Sequence, residues 1–423
     1  MIIFIIIISL LLIFSGIPVA FAIGLGSVLI FWQGDISFIQ MPLRMFYGTA
    51  NLPLLAMPLF ILAGTILGES GIATRLINFA FSLVGFIRGG LAHVNILTNM
   101  FFAEMSGSAT ADAATVGKIF IPGMVKKGYS KEFSAAVTSS SAVIGIIIPP
   151  SIPLIIYGSL AHSSIAELFV AGIVPGVLLG LLMMIVCYFT SLKQKFKVDT
   201  KFQVSEVLRT FKEAFWALSI PVIILGGILG GIFTPTEAGG VAVFVSLFLG
   251  FFVYRGLKIR DLKNICLVSV KQTAVVMMLV ATSAVLSWYL ANEQIPEKIA
   301  SHLLSFTQNK YIILFMLDIF ILFLGIFFQA AAALILTVPI IVPILLSVGI
   351  DPVHFGIIMT IGLAIGQQTP PVATVLATVC AVAELPMTKV FYASRYLLAI
   401  TVLLMFLVTY VPEIALYLTH FMK

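Results

Sequence analysis

Two stretches of this chain place hydroxyl, carboxamide or carboxylate side chains beside paired prolines, inside sequence that is otherwise apolar. The first combines "EMSGSATADAATVG", which supplies Ser106, Gly107, Ser108, Thr110 and Asp112, with "TSSSAVIGIIIPP", which supplies Ser139, Ser140, Ser141 and Gly145 ahead of Pro149 and Pro150. The second combines Gln329 in "FFQAAAA" with "GQQTPP", that is Gly366, Gln367, Gln368 and Thr369 ahead of Pro370 and Pro371. A proline removes a backbone donor and pushes the preceding residue out of the helical region. In hydrocarbon an unpaired backbone group costs several kcal/mol, so such a break needs protein or water around it. The donors gathered here are oxygens, with no thiolate or imidazole among them, which suits a hard monovalent cation such as sodium. Helix N-termini freed by the same breaks offer N–H groups and a positive dipole end to an anion. The expected sodium ligands are Ser106, Ser108, Ser140 and Gly145 in the first half, and Gln329, Gly366 and Thr369 in the second.

Other chemistry finds little support. The five histidines, His93, His162, His302, His354 and His420, are dispersed, and there is no H-E-x-x-H, G-x-S-x-G or Walker loop. An enzyme and an ATP-driven pump are therefore not expected. Cys187, Cys266 and Cys380 are scattered in apolar surroundings and suggest neither a disulfide framework nor a metal site. The remaining intramembrane ionisable residues each have a bland reading. Lys118 either snorkels or pairs with Asp112, Glu237 in "TPTEAGG" caps a helix start, and Asp318 satisfies a neighbour. Glu104 completes the set.

The elements that position these residues follow from composition. Of 423 residues 61% are hydrophobic and 9% charged, against about a quarter charged in an ordinary soluble domain, so the chain is a polytopic helical membrane protein. The net charge of +6 reflects basic loops on one face of the membrane rather than nucleic-acid binding. Ala20-Phe21-Ala22 imitates a signal-peptidase site, but no Lys or Arg precedes it and the apolar run continues to Trp32, so the segment reads as retained helix. Spanning helices are expected near 2–14, 17–32, 50–68, 133–160, 168–190, 216–232, 236–254, 272–291, 354–380 and 391–412. Two stretches, about 78–127 and 299–350, are polar or interrupted at their centres and read as re-entrant helical hairpins. Five crossings and a hairpin per half place the second half upside down. The division is then a first repeat over 1–190, an amphipathic cytoplasmic linker over 191–215, and a second repeat over 216–423. On this topology eighteen of the lysines and arginines lie inside and four outside, with Lys118 in a hairpin arm and both termini outside.

Sliding the sequence by 221 positions supports the repeat. Pro122, Gly128, Gly145, Pro149 and Pro150 then meet Pro343, Gly349, Gly366, Pro370 and Pro371. Inverted repeats with helices broken at matching positions are the pattern of a secondary transporter.

At "SGSATADAATVGKIFIPGMVKKGYSKEFSAAV", "IIPPSIPLIIYG", "GGIFTPTEAGGVAV" and the segment from "GIDPVHFG" to "TPPV", the chain resembles the large membrane subunit of a tripartite ATP-independent periplasmic (TRAP) transporter. The resemblance implies an elevator mechanism in the bacterial inner membrane, with sodium-coupled uptake of an organic acid delivered by a soluble periplasmic binding protein. It also implies a separate small membrane subunit of about four helices. Three positions depart from the family pattern: Gln329 stands where an acidic residue is usual, Gly362 where asparagine is usual, and Ala373 where "TPPVG" has glycine. A stand-alone carboxylate symporter of the same architecture and a non-transporting membrane scaffold are the competing expectations.

Overall fold

The computed structural model describes residues 11–13, 15–194, 196, 198 and 201–422, with the side chains of 104–106 outside that description. The expected helix 2–14 falls almost wholly outside it. All regular structure among the described residues is helical. The first half runs α1 (Val19–Gln33), α2 (Gln40–Thr49), α3 (Ala56–Glu69, entered through a tight turn at Leu52–Leu55), α4 (Ile72–Val84), α5 (Gly90–Ser106), α6 (Ala109–Lys126), α7 (Lys131–Ala142), α8 (Ile152–Leu160) and α9 (Ile165–Lys193). The second half runs α10 (Val204–Leu229), α11 (Pro235–Phe248), α12 (Ile259–Asn292), α13 (Ile295–Phe306), α14 (Lys310–Phe327), α15 (Ala330–Val348), α16 (Pro352–Gly366), α17 (Thr374–Ala383) and α18 (Met387–Tyr410).

Eight of these helices are long and apolar enough to cross a membrane, six of them at positions expected from sequence and two being α14 and α15. Two expected spans, 133–160 and 354–380, are each divided into two shorter helices. They break around the proline pairs, and both Pro149-Pro150 and Pro370-Pro371 are cis.

Boundaries differ from expectation in three places. The hairpin arms begin at Gly90 and Lys310, not near 78 and 299, because α4 and α13 are separate helices in front of them. Gly89 adopts φ +77° there, a left-handed turn that glycine enters without steric cost, and it lies directly against Ser191 of α9. The linker is shorter than 191–215, since α9 extends to Lys193 and α10 begins at Val204. Its Phe196 ring packs 4.1 Å from that of Tyr129, and its carbonyl accepts a bond from Arg88 Nε at 3.0 Å. Finally α2 has no counterpart among the expected spans; it packs along α12.

The register of 221 carries into the structure. Shifted by 221, the bounds of α5, α6, α7 and α8 fall within a few residues of those of α14, α15, α16 and α17. The two halves of the chain interlock. The second piece of each broken helix leaves its own hairpin and packs on the other one, α8 against α15 and α17 against α6. Tyr157 of α8 adds a direct link, donating its hydroxyl to the Pro352 carbonyl at 2.6 Å.

Candidate functional site

The tip of the first hairpin is Gly107-Ser108. Gly107 has φ +59°, and a Cβ on it would meet the Pro150 carbonyl at 3.0 Å and Ile152 Cγ1 at 3.3 Å, so the tip is seated directly on the first helix break. Asp112, buried in the first turn of α6, points at Gly145, whose absent Cβ would lie 2.7 Å from Oδ2. Ser108 starts α6, and its hydroxyl lies 3.2 Å from that of Thr110. Ser139 and Ser140 are fully buried on α7 and their hydroxyls have no hydrogen-bond partner among the described residues. Buried hydroxyls of this kind on the helix that leads to Gly145 are oxygen ligands of the type an alkali cation takes. Ser141 differs, because its hydroxyl donates to the Val137 carbonyl at 2.8 Å. The Ser106 side chain lies outside the described residues.

A polar ladder that sequence reading missed holds α5 against α7. Asn95 Nδ2 donates to Thr138 Oγ1 at 2.7 Å, and Asn99 Nδ2 donates to Ser141 Oγ at 2.7 Å and to Asn95 Oδ1 at 2.9 Å. The signal was present: two asparagines four apart in an apolar arm, and two hydroxyls three apart in the facing helix, each pair on one helical face. Replacing Asn99 by alanine leaves its partners buried and short of a donor. The expected cost is about 1–3 kcal/mol, read as a lowered thermal midpoint of the detergent-solubilised protein.

The second break is built differently. Asp112, Ser140 and Ser141 correspond in register to the apolar Ala333, Ile361 and Gly362, while Ser139 corresponds to Thr360, whose hydroxyl donates to the Gly356 carbonyl at 2.7 Å. Gly366 packs backbone to backbone on Gly325, and Thr369 donates its hydroxyl to the Ile365 carbonyl at 2.9 Å. The Gln367 carbonyl accepts the N–H groups of Val375 and Leu376, just as the matching Ile146 carbonyl accepts the Ser151 hydroxyl at 2.6 Å. Part of the backbone freed by each break is thus satisfied within the break. Gln368 is fully buried with neither amide atom partnered among the described residues. The departures also acquire a local setting. A Cβ at Gly362 would meet Ile321 Cγ2 at 2.6 Å, and Ala373 sits at φ +41°, where glycine is the unstrained residue.

Both tips open onto one cavity of about 230 Å³. Gly107, Ser108 and Thr110 reach it from the first tip, Gln329 and Ala330 from the second, Ile146 and Pro153 from the first break, and Gln367 from the second. Gly366, Gln368 and Thr369 are not in its lining. The opposite wall is Ile61 of α3 with Gln272, Val275 and Val276 of α12, and Gln272 is its one polar side chain. Among the described residues no lysine, arginine or histidine lines the cavity. A second cavity of about 190 Å³ adjoins it, sharing Ile61, Ser108 and Gln272 and reaching Thr65, Glu69, Asp112 and Thr115. Sequence reading did not single out Gln272, because one amide in a long apolar helix shows no face until its neighbours are placed. Two further ionisable residues lie apart from the tips. Glu237 forms a capping box with Thr234, and Lys118 is exposed and makes no ion pair with Asp112, six residues away on the other side of α6.

Helical hairpins and broken helices that pack on one another around a shared cavity make up the fold. The crystal structure of the Alcanivorax borkumensis YdaH transporter shares it, with a TM-score of 0.61 over 88% of each chain at 14% identity. The chain belongs to the family of the tripartite ATP-independent periplasmic transporter DctM component, whose profile matches residues 5–414. It is 39% identical to the sialic acid TRAP transporter large permease protein SiaM of Vibrio cholerae, over 96% of both chains. It is also 39% identical to the isethionate TRAP transporter permease protein DctMQ of Oleidesulfovibrio alaskensis, over 95% of this chain but 64% of that longer protein. The chain is a multi-pass membrane transporter component and not an enzyme.

Proposed function

We propose that this chain is the large membrane subunit of a sodium-coupled TRAP transporter that takes up an organic acid handed over by a periplasmic binding protein. The observation that carries the reading is the shared cavity. Both hairpin tips and a residue from each break converge on it, while the opposite wall comes from α3 and α12. A carboxylate there is held by carboxamides, hydroxyls and the N-termini of α6 and α15 rather than by a cationic side chain. Asp112 and Ser108 line the adjoining cavity, and a sodium ion bound by them would offset the negative charge gathered there. The names of the relatives, which carry sialic acid and isethionate, support an acid anion as the class of cargo.

The hairpins, α7–α8 and α16–α17 form the moving body of an elevator, and α3, α11 and α12 form the fixed wall. The hairpins are re-entrant, the membrane is the bacterial inner membrane, and the basic loops place Lys127 and Lys131 in the cytoplasm. In a Cys266→Ser background, with Cys187 and Cys380 buried, cysteines at 127 and 131 should react only with reagent supplied from the cytoplasmic side. Labelling from outside would reverse the topology.

The decisive test is affinity purification of the tagged chain from its native membranes. Co-purification of a stoichiometric small membrane protein of about four helices is expected. A chain that purifies alone and is stabilised by sodium would instead be a stand-alone symporter.

A further inference from the structure

We propose that Asp318 is a cation position separate from the hairpin-tip site, its carboxyl carrying one bound unit of positive charge, either a proton or an alkali ion. Asp318 lies midway along α14, about three turns from the second hairpin tip, with its side chain fully buried. Neither carboxyl oxygen has a hydrogen-bond partner among the described residues, and none of the ion pairs found there involves it. The polar groups that face it, Thr409 and Tyr410, are both on α18. Thr409 gives its hydroxyl proton to the Met405 carbonyl at 2.9 Å, so towards Asp318 it presents lone pairs only. On α16, His354 directs its ring Nε2 to the Val408 carbonyl at 2.8 Å, not to the carboxyl. On α14 itself, Lys310 is exposed and lies over the Tyr311 ring.

An ionised carboxylate in this position would meet no ion-pair partner among the described residues, and the Thr409 hydroxyl against it is already given to the Met405 carbonyl, which is costly inside a membrane-spanning helix. Neutralisation must therefore occur on the carboxyl itself. A proton there lets the acid donate to the Thr409 lone pairs, and an alkali ion would bridge the same oxygens. The fold does not demand the charge: the residue of the first half that matches Asp318 in register is Leu97. Because α14 packs on α16 and α16 on α18, the bound charge stays with the second hairpin wherever that body moves.

The test uses the purified full-length chain at neutral pH, in sodium and in choline chloride, and does not depend on substrate or on the transporter reading. Infrared spectroscopy should show the carbonyl stretch of a protonated carboxylic acid that is absent in Asp318→Asn, which establishes the proton. If that band is missing, a sodium-dependent rise in melting temperature that is smaller in Asp318→Asn establishes the alkali ion. Asp318→Leu, which restores the residue of the first repeat, serves as a second neutral variant should the asparagine fail to fold. An ionised-carboxylate band lost in the variants, with the sodium response unchanged, would overturn the proposal.

Discussion

Asp112→Asn is expected to remove most of the sodium-dependent stabilisation of the purified protein and to abolish sodium-driven uptake. The carboxylate is buried and directed at Gly145, and the helix that leads to Gly145 carries the unpartnered hydroxyls of Ser139 and Ser140. Asparagine preserves volume but replaces one anionic oxygen with an N–H₂ group that repels a cation. A hydrogen bond or ligand contact involving a charged group is worth about 1.5–3 kcal/mol, so sodium binding should weaken roughly 10- to 100-fold. The measurement is the melting temperature across a sodium titration, with choline holding ionic strength constant. Ser140→Ala should produce a smaller loss of the same sign. A full sodium response in Asp112→Asn would move the ion away from the first hairpin tip.

The second large effect is expected at Gly366. A Cβ there would collide with the backbone of Gly325, and a Cβ on Gly325 would meet Gly366 Cα at 3.0 Å and the Gly362 carbonyl at 3.3 Å. Neither neighbour is a side chain that can rotate away, so α14 must lift from α16. Overpacking of this kind costs about 1–3 kcal/mol or more, and it displaces the second tip from the cavity that Gln329 and Gln367 share. Gly366→Ala should therefore melt earlier and transport poorly. Gly226→Ala on α10 is the control: open space surrounds its Cβ position, and alanine's helix propensity makes the change neutral or stabilising by up to about 1 kcal/mol. Equal melting temperatures for the two variants would refute the tight crossing.

The contrast between the halves also bears on coupling. The first half carries Asp112, Ser139 and Ser140 at positions whose register matches in the second are Ala333, Thr360 and Ile361. The second half keeps amides instead, with Gln329 and Gln367 on the cavity and Gln368 buried behind it. The repeat has thus preserved a backbone plan while its side chains diverged. Two breaks of equal geometry do not imply two ion sites of equal composition.

How much of this could be read beforehand depends on whether a property is local. Membrane residence, the register of 221 and both helix breaks were legible, because apolar composition, glycine and proline act on the chain wherever they stand. Ser108, Asp112, Gly145 and Gln329 could be nominated because polar residues are costly in hydrocarbon. The starts of the hairpins at Gly90 and Lys310 were not legible, since an apolar segment reads alike in a separate helix and in a hairpin arm. Only the tertiary structure decided that α8 crosses to α15 and α17 to α6, and that Gln272 faces both cavities. It alone separated Ser139 and Ser140, left unpartnered, from Ser141, already bonded within α7. The physical reason is that hydrogen-bond satisfaction and cavity lining belong to pairs of surfaces, and a single sequence does not say which surfaces meet.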